Sequence, residues 1–147
     1  MDGVHGSTEI EVVREFLGAL ERVDLDAAIA LLAPDVIYQN VPFPPARGID
    51  AVVAQLRMLE RFGLGFEVEW HNVASAGPVV LTERTDTLVI GGVPGAFWVC
   101  GTFEVHDGRI TLWRDRFDFV DFTWSFVRGG FGALRRAAAR RSSVAGA

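Results

Sequence analysis

With 147 residues, half of them hydrophobic, the chain can bury one sizeable core and reads as one domain over residues 1–147. Its net charge of -5 and pI near 5.1 give no electrostatic footing on nucleic acid or an anionic membrane. All 14 basic residues are arginines, which removes Schiff-base and P-loop lysine chemistry, and the single cysteine, Cys100, excludes an intramolecular disulfide or a cysteine-cluster metal site.

Met1 to Val13 carry acids where a signal peptide needs basic and then apolar residues, and no apolar run approaches a membrane span, so the expected location is the cytoplasm. From Thr8 onward, Ile10, Val13, Phe16, Leu17 and Leu20 recur at helical spacing, with Ser7 or Thr8 as cap. Asp24 caps a second, shorter helix through Leu25, Ala28, Ile29 and Leu32 that Pro34 ends. Val36 to Asn40 reads as a short strand. It runs into a loop from Val41 to Gly48, where Pro42, Pro44 and Pro45 predict irregular structure able to form one wall of a pocket. Asp50 to Arg61 returns to helical spacing through Val52, Val53, Leu56 and Leu59.

The period then changes to two. Strands are predicted near Phe66–Ala74, Val79–Ile90, Phe97–Val105 and Arg109–Phe119, separated by turns at Ala76–Pro78, Gly91–Gly95 and His106–Gly108, the last with a hairpin-type Asp-Gly. An apolar, aromatic segment from Asp121 is helical to about Ala139. Residues 1–7 and 140–147 read as frayed ends. Helices first and a meandering, curved sheet afterwards predict an α+β domain with the helices on one face of the sheet.

The usual catalytic signatures are missing: no dinucleotide fingerprint, Walker lysine, zinc-protease motif or nucleophile elbow. His5, His71 and His106 fall in a tail, a strand and a turn, a poor basis for a metal site or a serine triad. What remains is a set of polar residues inside apolar strands. Arg84 and Asp86 share a face beside Leu88 and Ile90; Asp115 shares a face with Trp113 and Phe117, while Arg114, Arg116 and Asp118 face away; Tyr38 and Asn40 point together. A guanidinium fork can bridge Asp86 and Asp115 at once, and two close carboxylates in a dry pocket resist ionising together. One carboxylate and one carboxylic acid held by arginine make a paired general base and general acid. The same spacing equally describes a structural salt bridge at a sheet edge or dimer interface.

The ordered set Tyr38-x-Asn40, Arg84-x-Asp86 within Leu81 to Asp86, and Leu112-Trp113-Arg114-Asp115 resembles the limonene-1,2-epoxide hydrolases and their mycobacterial relatives. The similarity runs from the first helix past Asp118 and includes Phe97 to Val105. It implies an NTF2-like or SnoaL-like cone: a curved mixed β-sheet with helices packed on its concave face around a deep pocket, in a bacterial, cytoplasmic homodimer. It also implies roles. Asp115 is the general base, Tyr38 and Asn40 position the water, Asp86 is the general acid and Arg84 bridges the carboxylates, with no covalent intermediate, cofactor or metal. The expected partners are water and a small or medium apolar epoxide, limonene oxide-like or a bulkier lipid or sterol epoxide. Strand parity and family position together make Leu88, Phe97, Val99, Trp113 and Phe117 the substrate-binding residues. Arg116 departs from the pattern, in which an aromatic residue commonly follows the aspartate, and parity turns it away from the site. The alternatives are a ketosteroid isomerase-like or polyketide cyclase-like enzyme of the same fold, or a binder of apolar ligands.

Overall fold

The computed structural model describes residues 7–144; His5 and the expected frayed ends at 1–6 and 145–147 lie outside them. Helix α1 (Thr8–Glu21) opens with Ser7 as N-cap, its side chain accepting a hydrogen bond from the Ile10 N–H, and buries Val13, Phe16, Leu17 and Leu20 along one stripe. Helix α2 (Leu25–Ala30) is capped by Asp24, whose Oδ1 accepts from the Ala27 N–H. It ends earlier than its apolar spacing predicts. Leu32, Ala33 and Pro34 instead begin strand β1 (Leu32–Val41), and Pro34 falls in the irregular stretch between the pairs Leu32–Ile110 and Ile37–Leu112. A proline there removes no ladder hydrogen bond.

The Pro-rich loop is not wholly irregular. Its end, Ala46–Arg47, forms a two-residue edge strand, β2, against Ile37 and Tyr38, and Gly48, at φ +84°, turns the chain into α3 (Ile49–Arg61). Strands β3 (Gly65–Ala76), β4 (Val79–Ile90), β5 (Val93–His106) and β6 (Arg109–Phe117) form the predicted antiparallel meander. Asp107 and Gly108 both adopt positive φ at the β5–β6 hairpin, as an Asp-Gly turn of the primed type requires. Strand β5 begins four residues before the expected Phe97, so only Gly91 and Gly92 remain for the preceding turn.

The sheet order is β2-β1-β6-β5-β4-β3, and β1 runs parallel to β6, which makes the curved sheet mixed. One face is covered by α1, α2 and α3, whose buried residues merge with Val80, Phe103, Val105, Ile110 and Trp113 in one core. Helix α4 (Phe119–Val144) starts on Asp118, whose Oδ1 accepts from the N–H groups of Val120 and Asp121, and packs along β5. It begins before Asp121 and runs past Ala139, so residues 140–144 are helical where a frayed tail was expected. Among the described residues no helix is long and apolar enough to cross a membrane.

Candidate active site

Register places Thr82, Asp115 and Asn40 in one row across the sheet. Thr82 on β4 pairs with Gly101 on β5, Gly101 with Asp115 on β6, and Asp115 with Asn40 on β1. An adjacent row runs from Val80 through Phe103 and Trp113 to Tyr38. Because side chains two apart share a face, both rows point to the helix-covered side, where Val80, Thr82, Phe103, Trp113 and Asp115 are all buried.

Arg84 is fully buried and carries the arrangement. Its Nε and Nη2 donate to the two oxygens of Asp86 at 2.8 and 3.1 Å, Nη2 also donates to Asp115 Oδ2 at 2.8 Å, and Nη1 donates to Thr82 Oγ1 at 2.9 Å. A planar fork is required: an ammonium could not meet three side chains from three strand positions in one plane. The Trp113 indole N–H donates to the same Asp115 Oδ2 at 2.8 Å, while Asp115 Oδ1, buried, has no partner among the described residues. A buried acceptor in a protein is ordinarily hydrogen-bonded, so this cavity-side oxygen is free to accept from a bound molecule.

Tyr38 stacks on Trp113 with ring centroids 4.0 Å apart, and its hydroxyl accepts a hydrogen bond from the Asn40 amide at 2.6 Å. Burial, then the Asp115 carboxylate beside it, push the Tyr38 phenol well above its ordinary range. It therefore keeps its proton, which it can donate into the cavity. Desolvation pushes both carboxyl groups up against the pull of Arg84: Asp86 to about 6, and Asp115 above the ordinary aspartate range. Burial works against the Arg84 charge, but the Asp115 and Asp86 carboxylates outweigh it, so the guanidinium stays charged. Two raised carboxyl groups on one cation titrate as a pair that holds on to a proton.

Above this floor lies a cavity of about 490 Å³ with a mostly apolar lining. Of the residues expected from the sequence, Tyr38, Asn40, Asp86 and Asp115 reach it, and so do Leu88, Phe97, Val99, Trp113 and Phe117; Arg84 lies beneath the lining and meets the cavity only through its carboxylates. Ile90, read on the same face, is exposed at the end of β4. The expected wall from the Pro-rich loop is corrected: no residue from Val41 to Gly48 lines the cavity, and that side belongs to α3, through Gln55, Leu56, Met58 and Leu59. These α3 residues, with Leu20, Phe66 and Phe122, escaped the sequence reading because their contribution depends on how helices seat on the sheet. Thr82 and Gly101 escaped it too, although Thr82 shares the parity of Arg84, and a glycine inside a buried strand marks a close approach.

The family profile described as the limonene-1,2-epoxide hydrolase catalytic domain matches residues 7–128. Epoxide hydrolase EphG of Mycobacterium tuberculosis is 48% identical over 117 residues, which span 80% of this chain and 78% of the relative. The structure of an M. tuberculosis LEH-like epoxide hydrolase is similar at a TM-score of 0.83 and 44% identity, covering 88% of this chain and 97% of that one. An NTF2-like protein of Burkholderia pseudomallei, 22% identical over 76% of this chain and 92% of its own, shares the fold at a TM-score of 0.68.

Proposed function

The chain belongs to the limonene-1,2-epoxide hydrolase family, and on that premise we propose that it adds water to an apolar epoxide to give a vicinal diol in one general acid–base step. The observation that carries the mechanism is the buried Arg84 fork holding two carboxyl groups at the floor of an apolar cavity, with one oxygen of Asp115 left without a partner. Asp115 takes a proton from a water, the water oxygen bonds to a ring carbon, and the carbon–oxygen bond of the epoxide breaks. Its electron pair goes to the ring oxygen, which receives the proton of Asp86. No proton is gained or lost overall, and the resting state returns when one proton passes from Asp115 to Asp86.

The assignment of base and acid follows the contacts. Asp115 Oδ2 is pinned by Arg84 and Trp113, which orients Oδ1 and supports the negative charge, whereas Asp86 borders the apolar lining and stays protonated to about pH 6. Asn40 is the register neighbour of Asp115, and Tyr38 is hydrogen-bonded to Asn40, so an amide and a phenol stand where they can hold the water. Ring strain already raises the energy of an epoxide, so fixing a nucleophile and an acid on opposite sides of it provides strong levers.

The cavity volume lies in the range of pockets for small organic ligands, and Leu88, Phe97, Val99, Trp113 and Phe117 offer an apolar epoxide no competing polar partner. Limonene oxide-like substrates and bulkier lipid or sterol epoxides both suit such a lining. The working form is a homodimer. Incubation with a panel of apolar epoxides of increasing bulk, with diol analysis, tests the reading: diol from at least one member is expected, and enone or cyclised products in place of diol would refute it.

A further inference from the structure

The Arg84 guanidinium reaches from β4 to β6, and its hold on the two carboxyl groups is unequal. Nε and Nη2 grip both oxygens of Asp86, two residues along the same strand. Asp115 lies two strands away and is met by Nη2 alone, at 2.8 Å. The fork can cross β5 because position 101 is glycine; a Cβ there would overlap Nη1 and Thr82 Oγ1. A guanidinium joined to one carboxylate at two points still rocks with that carboxylate as a unit, so the single bond to Asp115 needs a third point of support. Thr82 supplies it. It sits two residues before Arg84 on the same face, is buried, and its Oγ1 accepts from Nη1 at 2.9 Å. Its own O–H is turned to the Gly101 carbonyl at 3.5 Å, and a β-branched side chain is stiff about χ1, so the acceptor is itself fixed.

We infer that Thr82 is a positioning residue for the hydrolysis proposed above: its hydroxyl stops the fork from rocking with Asp86 and keeps Nη2 on Asp115. This rests on the hydrolase reading and adds a residue to it. A hydroxyl suits the place for a reason of charge. It accepts from Nη1 without adding a third negative group, so the cation stays shared between Asp86 and Asp115, whereas an apolar side chain would leave a buried, charged N–H without an acceptor. The loss of Thr82 Oγ1 is felt at the base. Nη2 and the Trp113 indole N–H together support negative charge on Asp115 Oδ2 and aim Oδ1. The titratable groups around Asp115 are Arg84 and Asp86 on β4 and Tyr38 on β1, which keeps its proton. Once Nη2 drifts, Asp115 retains only the indole donor, and its carboxyl rises further above the ordinary aspartate range. Asp86 stays gripped at two points, so the acid side of the mechanism is spared.

Rate–pH profiles of Thr82→Val and Thr82→Ser, with an apolar epoxide that the wild type converts to diol, test this. Valine keeps the shape and removes the acceptor; serine keeps the acceptor and removes the methyl group. The valine variant is expected to lower kcat about tenfold with KM within about twofold, to move the acid limb to higher pH and to leave the alkaline limb in place. Serine is expected to restore kcat to within about threefold of wild type and to return the acid limb to its wild-type position. Thr82→Cys, in which a weak acceptor replaces the hydroxyl, takes the place of valine if that chain does not fold. A folded valine or cysteine variant with wild-type kcat and an unmoved acid limb would overturn the inference. So would a serine variant as slow as valine, because the value of Thr82 would then lie in its methyl group. A wild type that forms no diol from any epoxide would overturn the hydrolase reading as well; diol from the wild type with unaffected variants would overturn the inference alone.

Discussion

Gly101 is the register partner of Asp115, and a methyl group on Gly101 would lie 2.9 Å from Asp115 Oδ1 and 2.5 Å from Thr82 Oγ1, closer still to the Arg84 guanidinium. The guanidinium occupies the space that a side chain at position 101 would take. Gly101→Ala is therefore expected to displace Arg84 from its plane and lower kcat/KM by about 100-fold, the scale of a misplacement near 1 Å. Steady-state kinetics with circular dichroism checks this, and wild-type rates in a folded variant would show that the position of Arg84 does not matter.

In the proposed mechanism Asp86 acts protonated, and desolvation raises it to about 6, so kcat/KM should fall as pH rises through that value. At low pH the rate should fall again as Asp115 takes up its proton, above the ordinary aspartate range. Asp86→Asn should abolish the alkaline limb along with most of the activity; an unchanged limb would assign it to another group.

Stability should depend on pH with the opposite sign from an ordinary salt-bridged aspartate. Because the folded-state value of Asp86 is raised from 3.8 to about 6, the folded protein binds more protons than the unfolded chain in that window. The Asp86 contribution is fully present below pH 3.8 and is lost as pH rises to about 6. Comparing denaturant midpoints of wild type and Asp86→Asn across this window isolates the effect: their difference should shift in favour of the asparagine variant as pH rises.

Arg84→Ala leaves two buried carboxyl groups without their cation and should destabilise the fold by about 3–5 kcal/mol at neutral pH. The loss should shrink in acid, where both groups are neutral. Equal destabilisation at all pH values would mean that Arg84 acts by packing alone.

Trp113→Phe keeps an aromatic ring against Tyr38 but removes the N–H donor to Asp115 Oδ2. That hydrogen bond favours the charged form, so without it the acid limb of the rate profile should move to higher pH. An unmoved limb would place the value of Trp113 in packing.

Local periodicity made much of this molecule legible. Parity put Arg84 with Asp86 and Trp113 with Asp115 on shared faces, and the spacing of Phe16, Leu17 and Leu20 defined a buried helix stripe. What remained hidden depends on pairing between distant segments. The parallel β1–β6 pair, which sets Asn40 beside Asp115, joins residues 75 positions apart and has no local signature. Gly101 reads as a weak spot in a strand until Thr82 and Asp115 are known to flank it. Pro34 looked like the end of a helix because a proline stops a helix and tolerates an irregular strand equally well.

The central claim is direct attack of a water activated by Asp115, and a single-turnover reaction in heavy-oxygen water tests it most directly. With enzyme in excess over an apolar epoxide, the account predicts one heavy oxygen in the diol on the first turnover, and no diol from a folded Asp115→Asn variant. Unlabelled diol on the first turnover, with the label appearing in an aspartate carboxyl group, would contradict it by showing a covalent ester on the enzyme.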